Sequence, residues 1–152
     1  MKRVRTSRDF PATVAEAEAL WYDLDRWASF IDGFHHVEKR DADWPRQGSA
    51  IVWQSFPGGR GRVLEQVTGY APRDGQTVEV DDEQIIGTRR IRFHALEDGV
   101  RIELALEYAL KDRSLIKVLA EPFFIRRALR DSLRRELARF GHELEADRAL
   151  AS

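Results

Sequence analysis

Residues 122–146 read PFFIRRALRDSLRRELARFGHELEA, and the rest of the predicted fold is arranged around this segment. Its apolar residues recur every three or four positions, which is the period of an α-helix with one apolar stripe. They are Ile125, Leu129, Leu133, Leu137, Phe140 and Leu144. The opposite face is charged and holds Arg127, Arg130, Asp131, Arg134, Arg135, Arg139 and Glu145. A helix of this length, close to ~38 Å at ~1.5 Å per residue, needs a large apolar surface to pack against.

The middle of the chain supplies that surface as strands separated by strong turn signals. The strongest are Pro57-Gly58-Gly59, the segment 72–75 (PRDG), and Asp98-Gly99, a preferred hairpin pair in which both positions need positive φ. Strands joined by such short turns are antiparallel. The predicted strands are Val4–Phe10, Phe34–Asp41, Ser49–Phe56, Gly61–Ala71, Thr77–Gln84, Gly87–Leu96 and Val100–Leu110.

Two short helices are predicted between the first and second strands. Thr13 and Glu16 form a capping-box signature for the first, in which the hydroxyl and the carboxylate each bind a free backbone N–H. Asp25 is the predicted cap of the second helix, and Gly33 ends it in a left-handed position. Leu115–Ala120 is predicted as a helical turn or two before the C-terminal helix.

Composition narrows the class of protein. The 152 residues are most simply one domain, residues 1–152. There is no Cys, which excludes disulfides and thiol chemistry, and we expect a cytoplasmic protein without a signal peptide. No apolar run is long enough for an integral membrane segment. The net charge of −1 gives no general attraction to nucleic acid, and we expect no nucleic-acid partner.

The order of elements predicts an α+β fold, in which a curved antiparallel seven-stranded sheet (β-α-α-β6-α) wraps around the long C-terminal helix. Because seven twisted strands bent around one helix are hard to fill with side chains, we expect a cavity between sheet and helix. The two short helices close one end of it.

Several residues in this order carry a resemblance to a known family. They are Trp21, Asp25-Arg26-Trp27, Phe30, Gly33, Gly48, Gly61-Arg62-Val63, Pro72 and Asp98-Gly99. With them, nearly the whole chain resembles the START-like or SRPBCC (helix-grip) superfamily, in its polyketide cyclase/dehydrase and lipid-transport type. The resemblance implies the helix-grip fold. It implies no catalytic residue, because members of the superfamily share no universal catalytic motif.

Three functions follow from the fold and the resemblance. The leading hypothesis is binding of a small hydrophobic molecule, such as a lipid, an isoprenoid or an aromatic polyketide-like compound, without a cofactor. The first alternative is a cyclase/aromatase or dehydratase that uses the same cavity. The second alternative is a protein-interaction module with a filled core. The oligomeric state stays open.

The candidate ligand-binding residues lie on the apolar sides of the predicted elements. They are Trp27, Phe30, Trp53, Arg89, Ile91, Phe93, Leu104, Leu106, Tyr108, Ile125, Leu129 and Leu133. Tyr108 is the best polar candidate, because a buried hydroxyl needs a partner. Arg89 shares the parity of Ile91 and Phe93. If it points inward it needs an acidic partner or an anionic ligand, whereas exposure at a strand end is the commoner arrangement.

No metal site is predicted. His35 and His36 are neighbours on a strand and should face opposite sides, while His94 and His142 are isolated. The acidic run Asp81-Asp82-Glu83 is interpreted as a solvated strand end, with a cation site or general base as the alternative.

Overall fold

The computed structural model describes residues 1–111 and 122–152. In chain order the elements are strand β1 (Lys2–Phe10), helix α1 (Val14–Trp21), a 3-10 turn (Leu24–Arg26), helix α2 (Trp27–Phe30), strands β2 (Phe34–Arg40), β3 (Ala50–Ser55), β4 (Arg62–Ala71), β5 (Gly75–Asp81), β6 (Ile85–Leu96) and β7 (Gly99–Leu110), and helix α3 (Pro122–Ala151). The predicted turn at Leu115–Ala120 lies outside the described residues.

The seven strands form one antiparallel sheet in the order β1-β7-β6-β5-β4-β3-β2. The N-terminal strand therefore joins the sheet beside the last strand, with Lys2 opposite Tyr108 and Phe10 opposite Val100. The sheet curves around α3, which confirms the predicted α+β helix-grip architecture. Among the described residues, none of the helices combines the length and the apolar character that a bilayer crossing needs.

The hairpin at Asp98-Gly99 is present, but its predicted geometry is wrong. Leu96 pairs with Gly99, so the two loop residues are Glu97 and Asp98, and neither has positive φ. Glycine is needed at position 99 for a different reason. A Cβ atom there would lie 2.2 Å from the carbonyl oxygen of Phe10 on β1.

The acidic run at residues 81–83 forms the turn between β5 and β6. Asp82 is buried, and its Oδ1 accepts hydrogen bonds from the backbone N–H groups of Gln84 (2.7 Å) and Ile85 (2.8 Å). Consequently β5 ends at Asp81 and β6 begins at Ile85, two residues before the predicted Gly87. The prediction of a solvated strand end is wrong for Asp82, because its carboxylate satisfies the turn backbone.

The short helices begin with side-chain caps, one of which differs from the prediction. The capping box is confirmed: Thr13 Oγ1 accepts from the Glu16 N–H at 3.1 Å, and Glu16 Oε1 accepts from the Thr13 N–H at 3.0 Å. Asp25 is not a cap. Asp23 accepts the hydrogen bond from the Asp25 N–H, because a 3-10 turn begins at Leu24 before α2.

The C-terminal helix extends five residues past its predicted end at Ala146. Leu133, Leu137, Phe140 and Leu144 of its stripe are buried, and Ile125 and Leu129 are half-buried. The ring of Phe140 packs edge-on against three others: its centroid lies 5.8 Å from that of Phe10, 5.7 Å from Trp21 and 5.2 Å from Phe30. These contacts seat the middle of α3 against the sheet and the short helices.

Candidate functional site

A small cavity lies between the sheet and α3, which is where the sequence predicts a cavity. Its volume is about 50 Å³. The apolar lining residues are Val80, Ile85, Leu106, Leu129 and Leu133. The polar ones are Arg60, Arg89, Ser132 and Glu136. Strands β5, β6 and β7, the loop before β4, and α3 therefore all contribute to one site with a mixed lining.

Four of the twelve predicted site residues line this cavity: Arg89, Leu106, Leu129 and Leu133. Ile125 is half-buried earlier on α3. The other seven are buried in the core and do not border the cavity: Trp27, Phe30, Trp53, Ile91, Phe93, Leu104 and Tyr108. In the described part of the chain, the predicted site residues are thus divided between the lining of this cavity and the packed core.

Aromatic packing fills the part of the core near the short helices. The indole of Trp27 meets Phe34, Trp44 and Trp53 edge-on, at centroid distances of 6.1, 5.9 and 6.5 Å. Its Nε1 donates a 2.8 Å hydrogen bond to the carbonyl oxygen of Trp21. Trp27 is therefore a core residue with its hydrogen bond satisfied, and it does not line the cavity.

Arg89 forms a buried ion pair that connects the sheet to the aromatic core. Its Nη2 donates to Glu65 Oε1 at 2.6 Å, and the Glu65 carboxylate also accepts from Trp53 Nε1 at 2.7 Å. Both charged side chains are almost fully buried. The expectation of strand-end exposure is wrong for Arg89, because Glu65 on β4 provides the acidic partner that an inward arginine needs.

Glu136 is the titratable group of α3 that faces the cavity. Its Oε2 accepts a 2.9 Å hydrogen bond from the backbone N–H of Asp32. Burial raises the pKa of the Glu136 carboxyl to about 7, although that hydrogen bond and the positive charges of Arg89 and Arg60 act to lower it. Near neutral pH this carboxyl group can both give and take a proton.

Asp32, at the end of the α2 segment, fixes α3 beside the cavity. Its carboxylate accepts hydrogen bonds from Ser132 at 2.7 Å, Arg135 at 2.8 Å and Arg139 at 3.0 Å. Burial acts to raise the pKa of Asp32, but these bonds outweigh it and hold the pKa at about 2. The same residue thus orients Glu136 through its backbone and α3 through its side chain.

Arg60 closes the other side of the cavity from the loop between β3 and β4. Its Nε donates to the buried carboxylate of Asp82 at 2.7 Å, and its guanidinium lies 5.2 Å from the ring of Trp53. Both arginines of the cavity are therefore paired with carboxylates.

Tyr108 has the apolar surroundings predicted for it. Burial raises its pKa, and its hydroxyl has no hydrogen-bond partner among the described residues. The hydroxyl is not part of the lining of the small cavity.

Glu65 and Glu136 are the two central residues that the sequence analysis missed. Both leave a signal in the sequence. Glu65 alternates with Val63 and Val67 on the inward side of β4, and Glu136 lies three residues after Leu133, within the apolar stripe of α3. A carboxylate at an apolar position of a regular pattern is a candidate buried acid.

The histidine pair also differs from the prediction. The rings of His35 and His36 contact each other, with their Nδ1 atoms 2.6 Å apart, because a bulge between Phe34 and His36 interrupts the strand alternation. Within residues 1–111 and 122–152, no group of three His, Asp or Glu side chains is arranged to hold a metal ion.

Several solved structures share this fold. A START superfamily protein from Mycobacterium smegmatis superimposes with a TM-score of 0.77 at 10% identity, over 95% of this chain and 97% of that one. A protein from Thermus thermophilus gives a TM-score of 0.72 at 17% identity, over 96% and 99% of the two chains. The di-domain ARO/CYC StfQ from the steffimycin biosynthetic pathway gives 0.73 at 14% identity, and there 97% of this chain covers 51% of that one.

Sequence comparison identifies the family. No curated protein sequence matches the chain. The profile of the family described as "Polyketide cyclase / dehydrase and lipid transport" matches residues 1–145, which is nearly the whole chain. Together with the helix-grip fold, this match shows that the chain belongs to the polyketide cyclase/dehydrase and lipid-transport family.

Proposed function

We propose that the protein binds a small, largely apolar and uncharged molecule in the cavity between the sheet and α3. The observation that carries this proposal is the lining of the cavity. Five apolar side chains surround it, while Glu136 and Ser132 add polar groups at α3. Ligand sites in proteins typically combine an apolar wall with a few polar groups that set orientation.

The charges around the cavity favour a neutral ligand. Arg89 is paired with Glu65, and Arg60 is paired with Asp82. Glu136 is partly protonated at neutral pH. An ionised ligand would disturb a site whose charges are already balanced, whereas a carbonyl or hydroxyl group can exchange hydrogen bonds with the carboxyl group of Glu136. Lipids, isoprenoids and aromatic polyketide-like molecules fit this description.

Binding requires the cavity to widen. Its volume of about 50 Å³ is enough for one or two water molecules, whereas small-molecule sites are usually about 300–1,000 Å³. Leu129 lines the cavity and is only half-buried, so it is the wall residue that moves at least cost in core packing. Ile125, one turn earlier on α3, is also half-buried.

Uptake of N-phenyl-1-naphthylamine, a neutral apolar probe, tests the proposal. We expect its fluorescence to rise with the wild-type protein and to stay low with Leu129→Trp, which fills the cavity from a half-buried position. Leu150→Trp is the matched control, because Leu150 is an exposed residue of the same helix. Absence of uptake by the wild type, or equal uptake by both variants, would contradict the proposal and leave a protein-interaction module as the better hypothesis.

Native mass spectrometry with organic extraction identifies a ligand that copurifies with the protein.

For the uptake test, Leu104→Trp is a poor alternative to Leu129→Trp, because Leu104 is fully buried and lies away from the cavity. A larger residue at that position would overpack the core.

A cyclase- or dehydratase-type activity is the second candidate. Glu136 favours it, because a carboxyl group with a pKa near 7 at a cavity wall suits general acid–base catalysis. Exchange of the α-protons of 1-tetralone into D₂O, followed by NMR, tests for proton transfer next to a carbonyl. We expect acceleration by the wild type and by the exposed control Glu145→Gln but not by Glu136→Gln. No acceleration by the wild type would leave binding alone.

The proposal also covers the cellular location, the cofactors and the partners of the protein. We place it in the cytoplasm, acting without a cofactor, metal ion or nucleic-acid partner. The lack of Cys and the nearly balanced charge support this setting.

A further inference from the structure

A groove lined by arginines runs between the edge strand β1 and the first half of α3. Its lining residues are Arg3, Val4, Arg5, Arg126, Arg130 and Arg134, and its volume is about 330 Å³. We call it the arginine groove. It lies on the outer side of β1, away from the cavity described above.

The α3 side of the groove carries charge that the described residues do not neutralise. Arg126, Arg130 and Arg134 make no ion pair in the described part of the chain. On the β1 side, Arg3 lies 3.9 Å from Glu107 and Arg5 lies 3.4 Å from Glu103. The groove is therefore positive along about 12 Å of helix, at ~1.5 Å per residue.

The distribution of charge along α3 is uneven. Residues 122–135 contain five arginines and one acid, Asp131, while residues 136–151 contain four acids and two arginines. The first turn has no acidic residue, although a helix N-terminus favours negative charge. The first half of the helix is thus strongly cationic, and an external anionic surface would complement it.

Exposed apolar residues lie at the end of the groove. Phe123 is 63% exposed and Phe124 is 56% exposed, and their rings pack edge-on at 6.1 Å. Met1, which is 80% exposed, lies at the same end, because β1 and α3 run in the same direction along the groove. Phe10, at the end of β1, packs against Gly141, which lies farther along α3 than the arginines of the groove. This contact shows that β1 and α3 run in the same direction.

We propose that the arginine groove, with Phe123, Phe124 and Met1 at its end, docks the protein on an anionic phospholipid bilayer. Peripheral membrane binding combines apolar residues inserted at the headgroup level with arginines that attract anionic lipids. The partner is a bilayer rather than a nucleic acid, because phosphates alone would require no cluster of exposed apolar residues. The inference does not depend on the ligand of the cavity.

Vesicle cosedimentation of the full chain tests the proposal. We expect the wild type to sediment with mixed phosphatidylcholine/phosphatidylglycerol vesicles, to bind pure phosphatidylcholine vesicles far less, and to be released by high salt. Each arginine near an anionic surface contributes about fivefold in affinity, so Arg126→Gln/Arg130→Gln/Arg134→Gln should weaken binding by about 100-fold. Phe123→Ser/Phe124→Ser should weaken binding to the same vesicles without changing the net charge.

The matched control removes three positive charges elsewhere. Arg8→Gln/Lys39→Gln/Arg46→Gln changes exposed residues that make no ion pair within the described residues and that lie outside the groove. We expect this control to bind like the wild type, and circular dichroism checks that all variants fold. Equal loss in the control and groove variants, or no binding of the wild type to the anionic vesicles, would overturn the proposal. So would groove-dependent binding of a DNA or RNA oligonucleotide without vesicle binding.

Discussion

Replacing Glu136 with glutamine provides the sharpest test of the buried acid. The side chain is 5% exposed, and its Oε2 accepts a hydrogen bond from the Asp32 N–H. Glutamine has nearly the same shape and can accept this bond through its amide oxygen. Glu136→Gln therefore removes the ionisation of the group and leaves the packing and the hydrogen bond in place.

The magnitude follows from the pKa of Glu136 in the folded and unfolded states. Folding raises this pKa from its usual 4.5 to about 7, a difference that corresponds to about 3 kcal/mol. Below pH 4.5 the carboxyl is protonated in both states and has no effect. Between pH 4.5 and about 7 the unfolded chain ionises first, so the free energy of unfolding falls as pH rises. Above pH 7 the full penalty is present.

Urea denaturation followed by circular dichroism at several pH values measures this effect. We expect Glu136→Gln to match the wild type near pH 4.5 and to exceed its free energy of unfolding by about 3 kcal/mol near pH 8. Glu145→Gln, on the exposed face of the same helix, should change this free energy by less than ~0.5 kcal/mol at any pH. A difference between Glu136→Gln and wild type that does not vary with pH would show that ionisation of Glu136 is not its cause.

Further predictions concern the core, the buried ion pair and metal binding. Leu133→Asp should unfold the protein, because even truncation to alanine at such a buried site costs about 2–5 kcal/mol. Arg134→Glu, on the outer face of α3, should change the free energy of unfolding by about 0.5 kcal/mol or less. Equal effects of the two variants in urea titrations would mean that the buried and exposed faces of α3 are assigned wrongly. Arg89→Met should lower the free energy of unfolding by about 3–5 kcal/mol, because it leaves the Glu65 carboxylate buried without its partner. The double variant Arg89→Met/Glu65→Gln should recover most of the loss, because glutamine removes the charge and still accepts the hydrogen bond from Trp53 Nε1. No recovery would show that packing, not charge, is responsible. EDTA should leave the melting temperature unchanged, and a fall that one metal ion reverses would show a metal site.

Local features of the structure were predictable because they depend on neighbours in the sequence. The capping box of Thr13 and Glu16 needs two residues three positions apart, and both hydrogen bonds form. The stripe from Leu133 to Leu144 needs only the helical period. Where the prediction failed locally, at Asp25 and at the loop before Gly99, the chain placed a turn one or two residues away from the signal.

The candidate site was less predictable, because its properties arise from contacts between distant elements. The alternation of residues along β6 places Arg89 on the same side as Ile91 and Phe93. The ion pair, however, depends on Glu65, 24 residues earlier, whose side chain lies on the same side of the sheet. The volume of the cavity depends on how completely side chains from four or five elements fill the same space. It therefore cannot be predicted from any one segment of the sequence. The aromatic rings around Trp27 occupy space that the strand pattern left available for a ligand.

The sequence alone is enough to predict the order of the elements, the antiparallel pairing of consecutive strands, and the long amphipathic helix. These follow from periodicity, turn residues and caps, which act over a few positions of the chain. That Glu136 titrates near neutral pH depends on the tertiary structure, because burial raises its pKa and this burial comes from packing against parts of the chain as distant as Asp32, 104 residues away. Likewise, only the packing of α3 beside β1 brought Arg3 and Arg5 together with Arg126 in one groove. Desolvation and electrostatic interaction depend on distance in space, and in this protein folding sets those distances.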